Sequence, residues 1–97
     1  MGRLGVRVLD LAQDIQSRFE DDEEESMLHF CIEAPETAVR WGVSGYGETL
    51  FNSKQAEQLL REFDELPEER RTPVLRRLRE STLWVYRRSG YLQFLGD

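Results

Sequence analysis

Apolar and polar residues change their spacing several times along this chain, and each change predicts an element. Leu4, Val6 and Val8 alternate with Gly5 and Arg7, the period of two that marks a strand. Residues 10–19 fit two patterns. Val8, Leu11, Ala12, Ile15 and Phe19 follow a helical stripe that Asp10 and Gln13 would cap as a box, whereas Ile15, Ser17 and Phe19 would share one face of a second strand and make an N-terminal hairpin. The spacing alone leaves both open. Further on, Leu28, Phe30 and Ile32 alternate, Ala34-Pro35-Glu36-Thr37 has turn chemistry, and Val39, Trp41 and Val43 alternate again, which predicts a β-hairpin. Gly45-Tyr46-Gly47 interrupts the pattern before a short strand at Glu48-Thr49-Leu50-Phe51.

At Asn52 the period lengthens from two to 3.6. Asn52 and Gln55 have the spacing of a capping box, and Ala56, Leu59, Leu60, Phe63 and Leu66 form the buried stripe of a helix that Pro67 closes. Thr72-Pro73 starts a second helix, with Thr as cap and Pro where its missing N–H costs nothing. Val74, Leu75, Leu78, Thr82, Val85 and Tyr86 line its apolar face, and Ser89-Gly90 stops it before a last strand at Tyr91-Leu92-Gln93-Phe94-Leu95. Strands, then two helices, then a strand predict an α+β fold: an antiparallel sheet with two helices packed on one face and the C-terminal strand closing the sheet.

Length and composition narrow the class. The 97 residues allow a single domain, 1–97, and 39% hydrophobic residues with ten aromatics supply one core. The single cysteine, Cys31, has no partner for a disulfide, which points to a reducing cytoplasm. The first residues lack the apolar stretch of a signal peptide, Val6 stands where a myristoylated Gly2 would need Ser or Thr, and no window is long and apolar enough for a membrane span.

Charge is unevenly placed. The formal net charge is −6, which disfavours a generic nucleic-acid or anionic-membrane binder. Residues 1–50 carry a net −7, concentrated in Glu20-Asp21-Asp22-Glu23-Glu24-Glu25, which reads as a solvated acidic loop over 20–26. Residues 70–88 hold seven arginines against one Glu80. On a helical wheel Arg77 and Arg88 share one azimuth with Trp84 beside them, outside the apolar face. A Trp flanked by arginines has the composition of an interface hot spot, and Arg stacks on its ring. The simpler alternative is that these arginines pair with Glu65, Glu68, Glu69 and the acidic run while Trp84 covers another element.

Catalytic and metal chemistry is sparsely represented. His29, Cys31 and Glu33 would share a face of a strand, but no further His or Cys completes a zinc set. Ser44-Gly45-Tyr46-Gly47 lacks the basic residue of a phosphate loop, and the acidic run lacks the spacing of a calcium loop. The expectation is therefore no enzyme, no cofactor and no metal.

Gly47-Glu48-Thr49-Leu50-Phe51-Asn52 with Gln55, and the terminal Tyr91-Leu92-Gln93-Phe94-Leu95-Gly96-Asp97, resemble small uncharacterised bacterial proteins. These share a Gly-acid-Thr-x-Phe-Asn-x-x-Gln junction and a Tyr-Leu-x-Phe-x-Gly-Asp end. The resemblance covers about the C-terminal half and implies a bacterial source without an assigned activity. Size and charge add an analogy to immunity proteins, which neutralise a partner toxin. The expected function is thus protein binding in a bacterial cytoplasm, as an immunity-type inhibitor or adaptor, through Glu23, Glu24 and Glu25 or through Arg77, Trp84 and Arg88. The alternatives are nucleic-acid binding by the arginine helix and a homo-oligomeric structural subunit; no membrane partner is expected.

Overall fold

The computed structural model of the chain describes residues 3–96. Gly2 and Asp97, used above, lie outside the described residues. The chain forms β1 (Gly5–Leu9), β2 (Ile15–Glu20), α1 (Ser26–Ile32), a 3₁₀ turn (Val39–Gly42), β3 (Glu48–Phe51), α2 (Ser53–Asp64), a second 3₁₀ turn (Glu68–Arg70), α3 (Pro73–Arg88) and β4 (Tyr91–Leu95). The sheet runs β2-β1-β4-β3 and every neighbouring pair is antiparallel. This is an α+β fold in which the last strand inserts between β1 and β3.

Residues 10–19 take the hairpin alternative, for a local reason. The Asp10 carboxylate accepts from Asp14 N at 2.9 Å and from Gln16 Nε2 at 2.9 Å, so it closes a turn rather than capping a helix. Gln13, at φ 66°, supplies the left-handed residue of that turn.

Alternation sends Val6, Val8, Phe19, Phe51, Leu92 and Phe94 to one face of the sheet, where α2 and α3 cover them with Ala56, Leu59, Phe63, Leu75, Leu78 and Val85. Phe30 stacks on Phe63 at 4.8 Å and Phe51 meets Phe94 edge-on at 5.6 Å. Each such fully buried Leu, Val or Phe contributes about 1.5–3 kcal/mol. Thr82, fully buried in α3, satisfies its hydroxyl on Leu78 O at 2.7 Å. Both long helices start as the sequence predicts: Asn52 and Gln55 bond reciprocally, and Thr72 Oγ1 accepts from Leu75 N. At the end of α3 it is Ser89 that adopts the left-handed conformation, φ 54°. Gly90 is needed for space instead, because a Cβ there would lie 2.3 Å from Leu9 O.

Residues 27–43 depart from the expected hairpin. Residues 26–32 form a helix with Met27, Phe30 and Cys31 buried, and the buried Ala34 just past its end continues the i, i+3, i+4, i+7 spacing. The alternating Ile32 is 67% exposed. The segment from Val39 to Gly42 is a 3₁₀ turn held by α2: the buried Glu62 carboxylate accepts from Val39 N at 2.8 Å and from Arg40 Nη1 at 2.9 Å. Arg40 also donates through Nε to Phe30 O at 2.8 Å and lies over the Phe30 ring. One side chain, Glu62, thus replaces the ladder that a strand would have needed. The described residues contain no helix long and apolar enough to cross a membrane.

Candidate functional site

The acidic run divides into two parts with different roles. Asp21, 3% exposed, accepts from Met27 N at 2.8 Å and Leu28 N at 3.0 Å, and Asp22 accepts from Ser26 N at 2.8 Å and Ser26 Oγ at 2.6 Å. These two carboxylates satisfy the free N–H groups that open α1. The Ser26 hydroxyl and amide hold the Asp22 carboxyl below its ordinary range. The expected solvated loop over 20–26 is therefore shorter: Glu20 ends β2, Ser26 begins α1, and Glu23, Glu24 and Glu25 alone are exposed turn residues between them. None of these three makes an ion pair among the described residues.

The arginines divide as well. Arg70 pairs with Glu33, Arg71 and Arg76 with Glu68, and Arg79 with Asp64. These are surface pairs between α3, the turn before it, α2 and the residue after α1, screened by solvent and adding little to stability. Arg70 also holds the exposed Glu33 carboxyl below its usual range. A hollow of about 240 Å³ lined by Phe63, Arg71, Leu75, Arg76, Arg79 and Glu80 lies between α2 and α3, with Arg79 Nε buried and unbonded. Arg77, Arg87 and Arg88 have no carboxylate partner among the described residues. Of the carboxylates expected to pair with the arginine helix only Glu68 does so; Glu65, Glu69 and the acidic run make no ion pair among the described residues, and Glu33 and Asp64 take their place.

Helical geometry separates Arg77 from Arg88 by about 16 Å along α3. Arg77 is committed to the sheet, with its guanidinium 4.4 Å from the Phe19 ring centroid and Nη2 3.4 Å from Arg18 O. Arg88 instead lies over the Trp84 ring at 5.1 Å. Trp84 is half-buried, one side packed on the core and the other bordered by open hollows. One hollow is shared with Gln16, Ser17 and Glu80, another with Leu83, Arg87 and Arg88, and a third with Asp10, Leu11, Gln16 and Arg88. Leu11, 67% exposed, faces the third across the β1–β2 turn. Trp84 therefore packs on the core beside β1, as the covering alternative expects, and its other side borders solvent. Sequence reasoning missed Leu11 as a member of this face, because it sits in a turn whose folding over α3 has no periodic signature.

The other candidate chemistry is not brought together. His29 on α1 and Glu33 at its C-cap are exposed while Cys31, two residues from each, points into the protein, as about 100° per residue requires. The shared strand face expected for the three does not exist. Burial pushes the Cys31 thiol up to about 12, against the opposing pull of the Arg40 guanidinium, so it is a poor nucleophile and ligand. Among the described residues no three His, Cys, Asp or Glu side chains converge on a point that would hold a metal. Comparison of the chain with protein-family models, with curated proteins and with solved structures gives no match.

Proposed function

We propose that the protein is a binding module for another protein in a bacterial cytoplasm, acting by stoichiometric contact as an immunity-type inhibitor or adaptor, and that Trp84, Arg87, Arg88 and Leu11 form its contact face. The observation that carries this reading is the half-buried Trp84 with Arg88 over its ring, open hollows beside it and no carboxylate on Arg87 or Arg88. A rigid aromatic anchor with unpaired guanidinium groups and an exposed aliphatic side chain is the make-up of an interface centre. The complementary partner surface is acidic, with an apolar feature that enters beside the indole. Glu23, Glu24 and Glu25 are solvated and have no apolar anchor among them, so the reading does not rest on them.

Affinity capture from the source cell tests it, with nuclease-treated extract and the wild-type chain compared with Trp84→Ala/Arg87→Glu/Arg88→Glu. The expected result is a protein retained by the wild type, lost with the triple variant and released as ionic strength shortens the screening length. Equal retention by both chains overturns the assignment of the face. Retention that disappears with nuclease replaces the protein partner by a nucleic acid.

A further inference from the structure

We infer that β2 is a self-pairing edge, through which two copies of this chain join antiparallel, Arg18 of each opposite Glu20 of the other. This inference is independent of the Trp84 face.

Asp21 N donates to Leu4 O at 2.9 Å, and opposed residues of an antiparallel ladder alternate between bonded and unbonded pairs. Phe19 and Ser17 are therefore bonded to β1, while Arg18 and Glu20 turn their N–H and C=O groups toward the free edge. The Arg77 guanidinium reaching Arg18 O marks the same direction. A carbonyl has two lone pairs, so this contact leaves room for a strand N–H. Every β2 residue except Phe19 is exposed, and β2 is one of the two edge strands of the sheet.

The side chains then choose the occupant. On the sheet face away from the helices, Arg18 stands directly opposite Arg7 and Glu20 directly opposite Gly5. The first is a like-charge pair, which is unfavourable, and the second leaves a carboxylate with no side chain across from it. Neither Arg18 nor Glu20 has an ion-pair partner among the described residues. A two-fold axis at Phe19 corrects both at once. It sets Arg18 against Glu20 of the second copy and Glu20 against Arg18 of the second copy, and these are the residues whose backbone groups face outward. Backbone availability and charge complementarity thus select the same register, and a self-complementary patch is what a two-fold interface requires. Beyond it the bulge between Val8 and Leu9 disturbs the ladder, so the contact is short and the dimer concentration-dependent.

Sedimentation equilibrium tests this at loading concentrations up to about 1 mM, the weak end of specific affinity. The wild-type mass is expected to rise from 11.4 kDa toward twice that value. Arg18→Glu and Glu20→Arg are each expected to stay at 11.4 kDa, because each puts like charges opposite one another twice. An equimolar mixture of the two variants restores both opposite-charge pairs and is expected to dimerise, while Trp84→Ala leaves the mass change intact. In the wild type, amide exchange at Arg18 and Glu20 is expected to slow with concentration, a readout that needs no variant. A wild-type mass fixed at 11.4 kDa across the range overturns the proposal, as do single variants that dimerise like the wild type, a mixture that stays monomeric, or exchange at Arg18 and Glu20 that ignores concentration.

Discussion

Removing the Asp21 carboxylate separates the structural half of the acidic run from the solvated half. Asp21 accepts from Asp22 N at 2.9 Å, Met27 N at 2.8 Å and Leu28 N at 3.0 Å, and both it and Met27 are buried. In Asp21→Ala the cap is lost, which costs about 1 kcal/mol, and the Met27 amide is left buried without an acceptor, which costs about 1–3 kcal/mol more. The expected loss is about 2–4 kcal/mol, or a melting temperature lower by roughly 8–32 °C for a chain of this size. Asp21→Asn keeps one acceptor oxygen and falls between. Glu24→Ala removes an exposed carboxylate from the same run and stays within about 0.5 kcal/mol of wild type. Urea unfolding followed by far-UV circular dichroism measures all three. An Asp21→Ala loss under about 1 kcal/mol, or one no larger than that of Glu24→Ala, would refute the division of the run into capping and solvated carboxylates.

Two further perturbations probe the supports of the fold. Glu62→Ala leaves the half-buried Arg40 charge and the Val39 amide without their carboxylate; unfolding in urea should show a loss of about 3–5 kcal/mol, and a loss below about 1 kcal/mol contradicts this supporting role for Glu62. Asp22 titrates lower in the folded chain than in the unfolded one, so its contribution is complete above the unfolded value near 3.9 and disappears as pH falls through the lower folded value. The stability gap between wild type and Asp22→Asn should therefore narrow from about pH 5 to pH 2, and a gap constant over that range counts against the Ser26 contact as its cause.

Sequence periodicity was sufficient wherever one element buries one regular stripe. The caps at Asn52 and Thr72, the stripes of α2 and α3, and strands β1, β3 and β4 were legible because local chemistry and burial agree there. Residues 26–43 were not, since Leu28, Phe30 and Ile32 alternate while Met27, Phe30, Cys31 and Ala34 repeat with helical spacing over the same stretch. The helical stripe wins because Asp21 and Asp22 cap it, which makes part of the carboxylate run a start signal. Val39, Trp41 and Val43 alternate as a strand would, but Glu62, more than twenty residues away, holds that backbone in a 3₁₀ turn. Of the candidate site, the Trp84 and Arg88 neighbourhood was readable from i, i+4 spacing. The Arg71–Glu68 pair was readable too, from its i, i+3 spacing, whereas the separation of Arg77 onto Phe19, the pairing of Arg70 with Glu33 and of Arg79 with Asp64, and the approach of Leu11 are tertiary contacts with no local pattern.

The proposed contact face makes Trp84 the anchor for a protein partner. The direct measurement is the calorimetric affinity of the captured partner for wild type and for Trp84→Ala, with Glu24→Gln as the surface control. An anchor at the centre of an interface predicts a loss of about 2 kcal/mol, roughly thirtyfold in Kd, for Trp84→Ala and little change for Glu24→Gln. Equal affinity of Trp84→Ala and wild type, with Trp84→Ala folded, would contradict it.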